Sequence, residues 1–121
     1  MRLALFLTAA FLTAAPINGT ESLKMSVSPA QSLAPAYLRV RLTVEPNAVN
    51  RTVGVVAESD DYFRSSELPL QGEDGPRTIL FEFRGVPSGD YQIRGLIGDA
   101  RGHEVASVKQ NVYVLASGTD R

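Results

Sequence analysis

The sequence predicts an all-β domain, a sandwich of two antiparallel sheets with about seven strands, behind an N-terminal leader. Three observations predict it. Apolar residues recur with a period of two rather than 3.6 along nearly all of the chain after residue 20. Clusters of Gly, Pro, Asn and Asp interrupt these runs every 8–12 residues or so. The chain has 121 residues and no cysteine, which is enough length for one domain and leaves its core alone to hold it together.

The leader comes first. Arg2 supplies a positive charge, and Leu3 to Ala15 is an uncharged apolar run. That run has the length of a signal-peptide core and falls short of the ~20 residues that span a bilayer as a helix. Pro16 then stops any helix. Residues 1–19 are expected to be a secretory signal peptide, cut after Ala15 or after Gly19. Residues 20–115 would form the sandwich and residues 116–121 a flexible polar tail.

The strands follow in order. Leu23 to Ser28 alternates and ends at Pro29. Tyr37 to Glu45 places Leu38, Val40, Leu42 and Val44 on one face, with Arg39, Arg41 and Thr43 on the other. As a helix, the same segment would scatter its charges around every side. After the turn at Pro46 to Asn50, Arg51 to Ser59 points Val53, Val55 and Ala57 inward. Tyr62 to Leu68 is expected to be an edge strand, because Pro69 cannot donate to a central ladder. Thr78 to Arg84 buries Ile79, Phe81 and Phe83. Tyr91 to Asp99 groups Tyr91, Ile93, Gly95 and Ile97, and the turn over Asp99 to Gly102 leads into a last strand from His103 to Leu115. A bulge near Ser107 would bring Val105 into phase with Val108, Val112 and Val114.

Charge and composition exclude several functions. The formal net charge is −1, and loss of Arg2 with the leader leaves 11 basic against 13 acidic residues, or −2. No basic stripe tracks a phosphate backbone, so nucleic acid is not an expected partner. Without cysteine there is no disulfide, thiolate metal site or cysteine nucleophile. Ser65, Ser66 and Ser88 have a single histidine, His103, to activate any of them. No Gly-rich phosphate loop occurs. Asn18-Gly19-Thr20 and Asn50-Arg51-Thr52 fit the glycosylation sequon.

Gly85 to Ile93, Asp99 to Gly102 and Val112 to Val114 together resemble the last two strands of bacterial immunoglobulin-like and fibronectin III-like secreted domains. This resemblance implies an immunoglobulin-like β-sandwich. It would make Tyr91 the tyrosine-corner residue, reached through the turn at Gly89, with its ring in the core and its hydroxyl on nearby backbone. A second, shorter resemblance is to periplasmic copper carriers of the CopC type. It lies in Ser26-Val27-Ser28-Pro29-Ala30 and in Gly102-His103. The chain departs from that pattern at Arg101, where the family has an Asp, and in having one histidine.

The candidate sites are few. His103 and Asp99 are the metal candidates, read first as a turn-flanking surface histidine and a residue that opens the turn. Tyr62, Phe63 and Arg64 are the candidate partner-binding residues, since one aromatic of an edge strand must point outward. The functional expectation is an exported, non-catalytic binding or structural module, secreted or periplasmic. It would contact a protein or a surface polymer, use no cofactor, and keep no membrane span once the leader is removed. A periplasmic copper carrier is the alternative.

Overall fold

The computed structural model describes residues 18–19 and 22–117. The leader up to residue 17 and the last four residues lie outside the described residues, and with them most of the predicted signal segment and tail. The described chain is all-β, in two sheets. Its strands are β1 (Asn18–Gly19), β2 (Leu23–Ser28), β3 (Gln31–Leu33), β4 (Ala36–Val44), β5 (Thr52–Glu58), β6 (Phe63–Pro69), β7 (Thr78–Val86), β8 (Gly89–Gly98) and β9 (Glu104–Leu115). One 3-10 turn, Gly72–Asp74, joins β6 to β7. No helix among the described residues is long and apolar enough to cross a membrane.

One sheet has the order β1-β2-β4-β7 and the other β3-β9-β8-β5-β6. All pairings are antiparallel except β3 with β9, which run parallel. The facing sides carry the period-two residues. Leu38, Val40, Leu42, Val53, Val55 and Ile93 are wholly buried, and Phe81, Phe83 and Tyr91 nearly so. Met25 and Leu42 from one sheet close over Gly95 of the other, where a Cβ would stand 2.8 Å from Leu42 Cδ2 and 3.3 Å from Met25 Sδ. The core therefore reaches the backbone of β8 at that point.

Strands β1 and β3 were not expected, and they extend the two sheets at their edges. The bulge in β9 also sits elsewhere. Ile97 pairs with Ala106 and Gly98 with Glu104, so Val105 is the extra residue and lies exposed, instead of being drawn inward by a bulge near Ser107. Pairing at Gly98 restarts beside the tight Asp99–Gly102 turn, and the surplus residue is taken up there.

Asn50 is the one buried polar side chain among the described residues. Its Nδ2 donates to the Glu45 carbonyl at 3.1 Å, and its own carbonyl accepts from Gly72 N–H at 3.0 Å. It ties the β4–β5 turn to the 3-10 turn. Its amide nitrogen is buried and engaged, so the folded domain offers no glycan acceptor at this sequon. Asn50→Ala should lower unfolding free energy by about 1 kcal/mol, because it removes the part-buried bond from Nδ2 to the Glu45 carbonyl. Urea denaturation of the two proteins measures this.

Candidate functional site

The residues singled out in the sequence fall in three separate places. At the β8–β9 turn, the Asp99 carboxylate accepts from Arg101 N–H at 2.9 Å and His103 N–H at 2.8 Å. The backbone bond from His103 holds its carboxyl below the usual range. Asp99 thus shapes the turn. The imidazole is 70% exposed, with Nδ1 3.9 Å from the other Asp99 oxygen. Among the described residues, no group of three or more His, Cys, Asp and Glu could hold a metal ion. The copper-carrier pattern also comes apart in space. Ala30 bonds Tyr113 N–H at the end of β9, whereas His103 precedes the start of β9. Ten residues of extended chain separate Tyr113 from His103, about 30 Å.

At the opposite end, β6 is the edge strand, exposed at every position. Tyr62 is half-buried, its ring edge-on to Tyr91 at 5.9 Å between centroids. Arg64 lies over the Phe83 ring at 5.4 Å and donates to the Arg84 carbonyl at 3.0 Å. Both side chains brace the two sheets across the open edge, with Arg64 still exposed, and Phe63 makes no such contact and stands 63% exposed. The Tyr91 hydroxyl donates to the Pro87 carbonyl at 2.7 Å. A Cβ on Gly89 would stand 3.2 Å from the Tyr91 ring, so the bare residue makes room for it.

Burial raises the Tyr91 pKa above its ordinary value near 10. A raised acid favours the protonated fold, so its stabilisation is complete below about pH 10 and is lost as pH rises through the folded value. Tyr91→Phe should cost about 1 kcal/mol near neutral pH. It should also flatten the alkaline loss of stability between about pH 8 and about pH 11. Tyr37, held up chiefly by its hydrogen bond to Glu82, titrates alike in both proteins. Urea midpoints at the two pH values test the pair.

The third place was not read from the sequence. It is the outer face of the five-stranded sheet. Gly54 pairs with Glu67 of β6 on one side, and Gly98 pairs with Glu104 of β9 on the other. Gly98 also faces Thr52, two residues before Gly54, so the two glycines are diagonal neighbours. A line from Glu67 to Glu104 therefore crosses two glycines, with Thr52 Oγ1 leaning over Gly98, 2.7 Å from where a Cβ there would stand. Over it lies a cavity of about 300 Å³, walled by Val56, Leu96, Thr52, Ser65 and the two glutamates. Small-molecule sites begin near this size. Glycine inside a strand weakens it and often marks close approach of another group. Among the described residues neither glutamate has an ion-pair partner. The one signal in the sequence was a glycine in each of two otherwise well-formed strands.

No protein-family model matches the chain, and no curated protein matches it. Solved structures do. Superoxide reductase (neelaredoxin) from Ignicoccus hospitalis aligns with TM-score 0.60 at 12% identity, covering 81% of this chain and 82% of that one. Two variants of the same protein align with TM-scores of 0.60 and 0.55 at 12% and 10% identity. The shared property is the fold.

These findings correct the sequence-based reading. These three structures, which share the architecture over most of both chains, are superoxide reductases, not immunoglobulin-like, fibronectin III-like or CopC-type domains. The residues that carried the first resemblance are a turn, a core tyrosine and a Gly hairpin, which many antiparallel sandwiches need. The expectation of a non-catalytic, protein-binding module rested on that resemblance and falls with it, as does the copper carrier. So does the expectation that the chain is no enzyme, since its architecture is one found in enzymes.

The activity in those names belongs to those proteins. Reducing superoxide takes a redox-active group, and transition-metal centres are built from imidazole, thiolate and carboxylate donors. This sequence has one histidine and no cysteine. With Asp99 engaged by backbone and no third donor beside it and His103 among the described residues, the donor set does not fit such a centre.

Proposed function

We propose that the chain is an exported protein that binds a linear aliphatic amine with two or more positive charges, laid across the outer face of the five-stranded sheet. The line Glu67–Gly54–Gly98–Glu104 carries this reading. Three strand spacings and a two-residue diagonal step separate the two glutamate backbones, about 16 Å, and between them Thr52 alone leans over the glycine floor. Val56 and Leu96 offer methyl groups to an alkyl stem, and Thr52 and Ser65 offer hydroxyls. Each carboxylate would take one ammonium.

Calorimetric titration with spermidine, 1,8-diaminooctane and octylamine tests the reading. The two multiply charged amines should bind and octylamine, with one charge, should bind more weakly. Glu67→Gln and Glu104→Gln should each weaken spermidine about three- to tenfold, and added salt should weaken it further. Equal binding by wild type and the double variant, or equal binding of octylamine, would reject it.

Export is supported by Arg2, the apolar run Leu3 to Ala15 and Pro16. Cleavage after Ala15 is favoured because Asn18 and Gly19 pair with Met25 and Lys24, an edge that cleavage after Gly19 would remove. The mass of the protein recovered outside the cytoplasm distinguishes the two cuts.

A further inference from the structure

Another feature of the same sheet face breaks a rule of strand pairing. Arg94 on β8 and Lys109 on β9 stand directly opposite each other. Like charges so placed destabilise a sheet. Among the described residues neither has a carboxylate or hydrogen-bond partner to relieve the repulsion. The other neighbour of Arg94 in the row is Val56, and the acid of β5 on this face, Glu58, stands one row away opposite Gln92 with no ion pair to Arg94. Arg94 is also half-buried. In the next row Gln92 faces Asn111, which sets two side-chain amides beside the two cations. Lys109, Gln92 and Asn111 line a shallow concavity there.

We infer that Arg94 and Lys109 form a binding site for an oxyanion of the phosphate or sulfate type, free or as an ester. A guanidinium presents a planar fork of donors that matches two oxygens of such a group, and the lysine adds a mobile charge. The amides of Gln92 and Asn111 can donate to the remaining oxygens. A bound dianion would turn the cross-strand repulsion into two attractions. Keeping two opposed cations for such a ligand is a trade between stability and function. This inference uses residues other than those of the amine site and stands or falls separately from it.

The test uses the folded mature protein at constant ionic strength, with inorganic phosphate, sulfate and methyl phosphate as probes and chloride as the control. Phosphate should raise the melting temperature of the wild type, and its NMR shifts should centre on Gln92, Arg94, Lys109 and Asn111. Arg94→Gln and Lys109→Gln should each remove the response. Without anion, Lys109→Gln should melt about 1–5 °C above the wild type, because one of two opposed charges is gone. Vesicles of phosphatidylglycerol form a further arm. Binding to vesicles and to methyl phosphate but not to inorganic phosphate would identify an ester, whereas binding to inorganic phosphate would identify the free ion. The inference is overturned if phosphate shifts the arginines of the other sheet, Arg39, Arg41 and Arg84, as much as Arg94. It is also overturned if Lys109→Gln melts at or below the wild type.

Discussion

Replacing Phe83 by alanine is expected to remove about 3–5 kcal/mol of unfolding free energy. Phe83 is 2% exposed on β7, pairs with Leu38 of β4, and carries the Arg64 guanidinium on its outer side. Truncation would open a cavity between the sheets and also remove the platform under Arg64, whose bond to the Arg84 carbonyl helps close the edge between β6 and β7. A domain of this size has about 5–15 kcal/mol in total, so the variant would be left near the limit of folding. With no disulfide to restrict the unfolded chain, nothing outside the core compensates. Urea denaturation measures the loss. A change below about 1 kcal/mol would mean that Phe83 is not in the core.

Filling the core at Gly95 is expected to do comparable damage from the opposite direction. A Cβ there stands 2.8 Å from Leu42 Cδ2, and Met25 Sδ and Val108 Cγ1 are each at 3.3 Å. Gly95→Ala should cost about 1–3 kcal/mol, since overpacking forces neighbours off their rotamers. Gly95→Val should cost more, as two further methyl groups enter the same space. Met25 is flexible enough to give way, but wholly buried Leu42 is not. Leu42→Ala should therefore cost less in the Gly95→Val background than in the wild type, a favourable coupling of about 0.5–3 kcal/mol in a double-mutant cycle. Additive losses would place Gly95 away from Leu42.

Much of the sandwich was legible because a strand with one wet face writes itself into the sequence at period two. Leu38, Val40, Leu42, Val53, Val55, Phe81, Phe83, Tyr91 and Ile93 all follow from that pattern, and all are buried. The edge strand was legible from Pro69. Strands β1 and β3 were not, since two or three residues carry no period. Nor was the exposed Val105, because a bulge beside a tight turn is set by the pairing of both strands and not by either one.

The outer face was illegible for a related reason. Glu67 and Gly54 are 13 residues apart in sequence, and Gly98 and Glu104 are six apart across a turn. Only register brings each pair together and sets the two glycines on one diagonal. Register depends on turn lengths and on the bulge at Val105. The same holds for Arg94 and Lys109, which read along their own strands as ordinary solvated cations. The reach of Tyr62 and Arg64 to the rings of Tyr91 and Phe83 was not legible either, because it depends on how the two sheets pack and not on the edge strand alone.

In the function proposed above, the glycine-floored line between Glu67 and Glu104 takes a multiply charged amine. The most direct measurement is a spermidine titration of the isotopically labelled protein followed by amide NMR. Saturable shifts are expected at Gly54, Glu67, Leu96, Gly98 and Glu104, all lost in the Glu67→Gln, Glu104→Gln variant. Shifts that persist in that variant, or that fall instead on the four-stranded sheet, would contradict it.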